Sequence, residues 1–178
     1  VEIDSLTGRI AQKLYPQANI QIAGYQDVEF RDNFFDVVVG NVPFGEAVLK
    51  YKGRGYKIHD YFFVKSIDKL KEGGILAFIT SSGTMDKLND KMRQEIMSKA
   101  DLVAAYRLPN TSFKYNAGTE VTTDFIILRK REEGRPYAGE EWQNISKIDS
   151  IPVNEYFVNH PENLLGKLVY EKNMYAQE

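Results

Sequence analysis

Between Phe35 and Gly45 the chain reads Phe-Asp-Val-Val-Val-Gly-Asn-Val-Pro-Phe-Gly. An amide (Asn41), a rigid imino acid (Pro43) and an aromatic ring (Phe44) follow directly on a run of apolar, largely β-branched residues. That run is continuously apolar instead of alternating, which predicts a buried parallel strand. Pro43 has no N–H to offer a ladder, so Asn41 to Gly45 should form a tight turn at the strand's carboxyl end. Ligands of open α/β sheets bind in the crevice beyond such ends. The turn would therefore present an amide, a rigid backbone and an aromatic face where chemistry is usually done. An ordinary Asn/Pro/Gly surface turn is the competing reading of the same residues.

The rest of the chain supplies elements that could position this turn. Val1 to Asp4 read as a strand's last residues, followed by a helix over about Ser5 to Leu14 that Asp4 or Ser5 could cap, with Ile10 and Leu14 as its buried stripe. A strand is expected at Asn19 to Ala23 and a polar turn at Tyr25 to Asp27. Gly45 to Lys57, with its glycines and cations, should be a mobile loop. Ile58, Tyr61, Phe62, Val64, Ile67 and Leu70 recur at helical spacing, and Gly73-Gly74 should end that helix. Ile75 to Thr80 is a second buried strand. A helix over about Asp86 to Ala100 would carry Leu88, Met92 and Ile96 on one face. Strands Leu102 to Leu108 and Thr122 to Arg129 have no helix between them, so they should pair antiparallel. This order predicts an α/β architecture built on a mostly parallel sheet. After Arg131 the sequence turns polar, with a short helix expected near His160 to Leu165.

Composition narrows the chemistry. With 178 residues, 43% of them hydrophobic and 27% charged, the chain can bury one core. It contains no cysteine, which excludes disulfides and thiolate metal sites. Its two histidines, His59 and His160, are far apart in sequence, and no metal is expected. No apolar run approaches the ~20 residues of a membrane span, and no signal-peptide pattern opens the chain, so a cytoplasmic location is expected. A net charge of −2 is not that of a general nucleic-acid binder. Lys50, Lys52, Arg54 and Lys57 nevertheless cluster just after the key turn, either as phosphate contacts or as a solvated loop.

The Asn41–Phe44 turn resembles the Asn-Pro-Pro-Tyr/Phe motif of the methyltransferases that modify adenine N6 in DNA. The segments Gly73–Ser82 and Val121–Lys130 resemble, in order, two further strands of that family. The tail around Val153–Glu162 is similar to a segment of large methylase–helicase proteins of phages and conjugative elements. The resemblance implies an incomplete Rossmann-like S-adenosylmethionine-dependent methyltransferase fold, mostly parallel with an antiparallel last strand. It implies a partial methyltransferase domain over residues 1–131 and an extension or linker over residues 132–178. The first strand and the Gly-rich cofactor loop would lie upstream of Val1, because Gly53-Arg54-Gly55, the one GxG, follows no predicted strand. The fragment alone would then bind cofactor weakly and be inactive.

By the same resemblance, Glu2 would accept from the cofactor ribose and Ile3 would pack on its adenine. Asp27 would accept from the adenine amino group, with Val28 against the base. Asn41 would serve both cofactor and catalysis. Its side-chain oxygen and the Val42 carbonyl would accept the two N6 hydrogens of the target adenine, and Phe44 would stack on that base. Val42 departs from the motif's first Pro: the carbonyl survives, but the fixed φ is lost and an extra N–H needs a partner. A flipped base needs a second face, and Phe113, or Tyr115 in its place, would supply it. Lys50, Lys52 and Arg54 would meet DNA phosphates. DNA, and a helicase domain in the same polypeptide, are the implied partners. A non-catalytic DNA-binding or interaction module on the same fold, and methylation of RNA or of a protein glutamine, remain as alternatives.

Overall fold

A computed structural model of the chain describes residues 1–114, 118 and 120–169. Helix α1 (Ser5–Leu14) begins at Asp4, whose carboxylate accepts from the Thr7 N–H at 2.6 Å. Strand β1 (Phe35–Asn41) is followed by a hairpin of β2 (Val48–Tyr51) and β3 (Arg54–Lys57), then helix α2 (Ile58–Lys69) and strand β4 (Leu70–Ser81). Two short helices, α3 (Gly83–Asp86) and α4 (Lys91–Met97), lead to strands β5 (Ala100–Leu108) and β6 (Thr123–Lys130). A second hairpin, β7 (Ile145–Ile148) and β8 (Ile151–Asn154), precedes α5 (Glu155–Asn159).

Four strands form the main sheet in the order β1-β4-β6-β5. β1 runs parallel to β4, whereas β6 inserts antiparallel between β4 and β5. Strand directions are thus mostly parallel with one reversal. One face carries Leu76, Phe78, Leu102, Ala105, Ile126 and Leu128, all buried in the main core. α2 covers it, with the Phe63 ring edge-on to Phe78 at 5.3 Å. Ile75, Ala77, Ile79, Phe125 and Ile127 alternate onto the other face and are only half-buried.

Several sequence expectations are corrected here. The β1 run pairs parallel as expected but is not buried: β1 is the outer strand among the described residues, and Val37 and Val39 are 56% and 71% exposed. The apolar pattern records that something should cover a strand, and says nothing of what does. The α1 stripe is exposed for the same reason, with Ile10 and Leu14 at 50% and 67%. In place of the Asn19–Ala23 strand there is a single parallel bridge between Glu2 and Ile22. The long Asp86–Ala100 helix is broken, because the Asn89 side chain accepts from the Lys91 N–H and competes with the helical ladder. Leu88, placed in the break, is exposed.

The Gly45–Lys57 stretch contains a clamped hairpin. Lys52 and Gly53 adopt φ of 47° and 80°, the mirror-image geometry that a two-residue hairpin turn demands. A lysine is unfavourable there, and ion pairs offset the strain: Lys52 reaches Asp68 at 2.7 Å and Asp32 at 3.3 Å. Burial acts to raise the Asp68 pKa, yet hydrogen bonds from Lys52 and Lys99 hold it below its ordinary value. Lys69, with Lys52, holds Asp32 down likewise. Depressed carboxylates contribute stability that is complete above their unfolded pKa and is lost as pH falls through the folded one. The protection of the Tyr51–Arg54 amides against exchange is therefore expected to fall below about pH 4, ahead of global unfolding.

The polar stretch after Arg131 is tied into the same core. Trp142, Tyr156 and Phe157 join the main cluster. The Asn154 amide donates to the Met85 and Trp142 carbonyls at 2.7 and 2.8 Å and caps α5 by accepting from the Tyr156 N–H. At Gly139 the chain lies so close to β5 that a Cβ would meet the Leu102 backbone nitrogen at 2.5 Å.

Candidate active site at the end of β1

Asn41 closes β1 opposite Ile79 of β4, and the side chains of Asn41, Pro43 and Phe44 point outward into exposed positions. Val42 does the reverse. It is 1% exposed, a member of the main core, and its N–H donates to the Ile79 carbonyl at 2.9 Å. The additional N–H that a valine brings thus extends the β1–β4 ladder by one rung. Packing and that bond hold the backbone where a proline ring would have held φ. Val42→Pro is expected to lose this bond and part of the Val42 packing, about 1–3 kcal/mol of stability by urea denaturation, while keeping the carbonyl.

A cleft of about 800 Å³ opens beside the strand end, and its walls include Glu2, Ile3, Asn41, Val42 and Pro43 together with Tyr25, Phe62, Lys69 and the edge of β1. Glu2 uses one carboxylate oxygen to accept from the Asp4 N–H at 2.8 Å, and Ile3 is exposed. Asp27 and Val28 are not among the lining residues: Asp27 is exposed and accepts from the Gln26 amide, while Val28 is buried. Phe44 lies beyond the lining, about half exposed.

Among the described residues Lys50 is exposed on the hairpin with no ion pair, and Lys57 pairs with Glu46 at 3.0 Å. Lys52 is held by its aspartates, and Arg54 grips Glu95 with two bonds of 3.2 Å. The Tyr56 hydroxyl donates to the same Glu95. Phe113 is half-buried in the loop after β5, and Tyr115 lies outside the described residues. Sequence reasoning missed Tyr25, whose hydroxyl lies 3.1 Å from Ser66 Oγ and whose pKa burial raises. It also missed Lys65, which donates to the Tyr25 and Val28 carbonyls and fastens that wall to α2. Both lie on helical or turn surfaces whose only signal was an aromatic or a lysine on an apolar face. Among the described residues no group of three or more His, Asp or Glu is arranged to hold a metal ion, and no helix is long and apolar enough to cross a membrane.

The profile of the Eco57I restriction-modification methylase family matches residues 4–113. The chain belongs to this family. Over 137 residues it is 34% identical to the defense against restriction protein B of Escherichia phage P1, covering 72% of this chain and 6% of that protein. Over 89 residues it is 32% identical to modification methylase CviBIII of Paramecium bursaria Chlorella virus NC1A, covering 46% of this chain and 24% of that one. The chain thus spans 6% and 24% of the length of these curated relatives. The type I restriction enzyme EcoKI M protein superposes with a TM-score of 0.59 at 20% identity, over 81% of this chain and 33% of that one. The fold is that of class I S-adenosylmethionine-dependent methyltransferases.

Proposed function

We propose that this methylase-family chain carries the target-facing half of a methyltransferase acting on adenine N6 in DNA, with S-adenosylmethionine as methyl donor. The observation that carries this reading is the Asn41–Phe44 turn. An outward amide, a carbonyl on a buried and hydrogen-bonded Val42, and an open aromatic ring stand together at a strand end beside the cleft.

The cleft fits the cofactor in its chemistry. Glu2 retains a carboxylate oxygen for the ribose hydroxyls, Ile3 offers an apolar surface for the adenine, and Asn41 adds a polar group at the far wall. S-adenosylmethionine, when bound, supplies an electrophilic sulfonium methyl. The chain's own task is at the acceptor. An exocyclic amine conjugated with its ring is a poor nucleophile. Asn41 Oδ1 and the Val42 carbonyl, each accepting one of its hydrogens, favour a pyramidal nitrogen whose lone pair leaves the ring. Such preorganised dipoles act most strongly where water is excluded. Phe44 stacks on the base, with Phe113 or Tyr115 opposite, and Lys50 approaches phosphate. Asp27 would accept from the cofactor's adenine amino group, with Val28 against the base, from the 3-10 turn whose Tyr25 and Gln26 line the cleft.

In β1, Val42 donates toward β4, so alternation directs the N–H groups of Val37, Val39 and Asn41 to the open side. A strand laid along that edge, between β1 and the Glu2–Ile22 bridge, would close the cleft and meet the exposed apolar residues of β1 and α1. The fragment alone is expected to be inactive for want of that wall, and a helicase domain would belong to the same longer polypeptide. The test is transfer of labelled methyl from S-adenosylmethionine to unmethylated DNA, RNA and protein offered side by side, with the chain preceded by the strand-and-loop segment of a family member. Label in N6-methyladenine of DNA supports the reading. Label in RNA or in glutamine moves the substrate class, and binding without label favours a non-catalytic module.

A further inference from the structure

Phe44 makes a contact that the reading above leaves unused. Its ring meets the imidazole of His59 edge-on, with centroids 5.8 Å apart and planes at 72°. His59 is the second residue of α2, and the start of α2 is fastened to the same turn by the Ile58 N–H donating to the Ala47 carbonyl at 2.9 Å. The Nε2 atom of His59 is buried and has no hydrogen-bond partner among the described residues.

A buried, unpartnered ring nitrogen is tolerable on a neutral imidazole and costly on a charged one, which must donate from both nitrogens. Burial accordingly holds the His59 pKa below its ordinary value. Asp60 on its own helix and Glu46 from the turn act upward, and Lys87 from the loop after α3 and Lys57 at the hairpin's end act downward. At neutral pH an uncharged ring is therefore seated against Phe44. An exposed phenyl on a turn would otherwise sample a broad χ2 range, and stacking on a flat partner requires one orientation.

We propose that His59 is a positioning residue: its neutral imidazole sets the tilt of Phe44, and so the face Phe44 presents to a planar base, and protonation of His59 releases that ring. The proposal rests on the reading of Phe44 as the residue that stacks on the target base. On acidification, Nε2 becomes a charged donor with no partner among the described residues, and the ring gains one by turning toward solvent, which takes it off Phe44. His59 thereby makes target engagement dependent on pH through a group that touches neither the target nor the cofactor.

Two measurements on the 178-residue chain decide it. In an NMR titration, the His59 signals are followed together with those of the Phe44 ring. The His59 signals are expected to titrate below about 6.5, with the Phe44 ring signals moving at the same midpoint. Phe44→Ala should shift that midpoint upward. Phe44 signals that ignore the titration, or a His59 midpoint unchanged by Phe44→Ala, overturn the proposal. The second measurement is binding of a single-stranded oligonucleotide carrying 2-aminopurine, read by fluorescence quenching. His59→Ala should weaken binding about two- to tenfold at neutral pH, the size of one aromatic contact. His59→Phe should restore it and remove its dependence on pH between about 5 and 7. Native-like binding by His59→Ala overturns the proposal. Absence of quenching by every form sinks the base-stacking reading instead, and the titration still decides the positioning role.

Discussion

Asn41→Ala should lower methyl transfer about 10²- to 10³-fold, the cost of removing one preorganised hydrogen-bonding group from a site of this kind. The fold should survive the change. Asn41 contributes its backbone to the β1–β4 ladder, in register with Ile79, and its side chain is exposed. On the proposed reading, the expected signature is a collapse of kcat with an unchanged thermal midpoint and little change in DNA affinity, because the amide would accept hydrogens and Phe44 would supply the stacking. Asn41→Asp is the informative partner. It keeps an acceptor oxygen but adds a full negative charge and removes a donor, so partial activity there would assign the effect to acceptance. The measurement is labelled transfer to unmethylated DNA by the cleft-completed chain. Transfer at native rate by Asn41→Ala would remove the amide from the mechanism and leave the turn as a structural feature.

The elements that position this turn were legible to different degrees, for physical reasons. β1, α2, β4 and the β5–β6 pair could be read because period and apolarity suffice to specify a strand or helix. The turn was legible because Pro43 cannot continue a ladder. The β2–β3 hairpin was not, since its usual Asn-Gly or Asp-Gly signal is replaced by Lys52-Gly53, stabilised by aspartates distant in sequence. Val42 looked like a loss of precision from the sequence alone. Its compensation, the Ile79 carbonyl and a seat in the core, exists only once β1 and β4 are side by side. The packing of residues after Arg131 was hidden by their polarity, because Asn154 is saturated by carbonyls from two other segments. Asp27 and Val28 were placed by resemblance; Asp27 ends a 3-10 turn whose Tyr25 and Gln26 line the cleft.

Asp124→Ala should be the most destabilising single change in the sheet. Asp124 is wholly buried in β6 and receives two 2.9 Å bonds from the guanidinium of Arg107 in β5. Arg107, 5% exposed, also reaches Asp86 at 2.8 Å, lies over the Phe157 ring at 4.5 Å, and its carbonyl accepts from the Leu165 N–H. Burial pushes the Asp124 pKa up to about 6 even though the adjacent guanidinium acts to lower it. The same pairing raises the Arg107 pKa, so the arginine stays charged. Removing the aspartate leaves a buried cation with one half-exposed partner, at a cost of about 3–5 kcal/mol. That is a large part of the roughly 5–15 kcal/mol that holds a domain together. Asp86→Ala should cost far less, since Arg107 keeps both bonds to Asp124. The double change Arg107→Met with Asp124→Leu should recover much of the loss, because it removes the buried charges together with their desolvation cost. Urea denaturation of Arg107→Met, Asp124→Leu and the double completes the cycle, and a coupling near zero would mean that the pair does not act as a unit. Asp124 stands opposite Thr80 in β4, one residue beyond the Ile79 that registers Asn41. A sheet loosened at this point should therefore misplace the turn as well, and Asp124→Ala is expected to lose activity at temperatures below its unfolding midpoint.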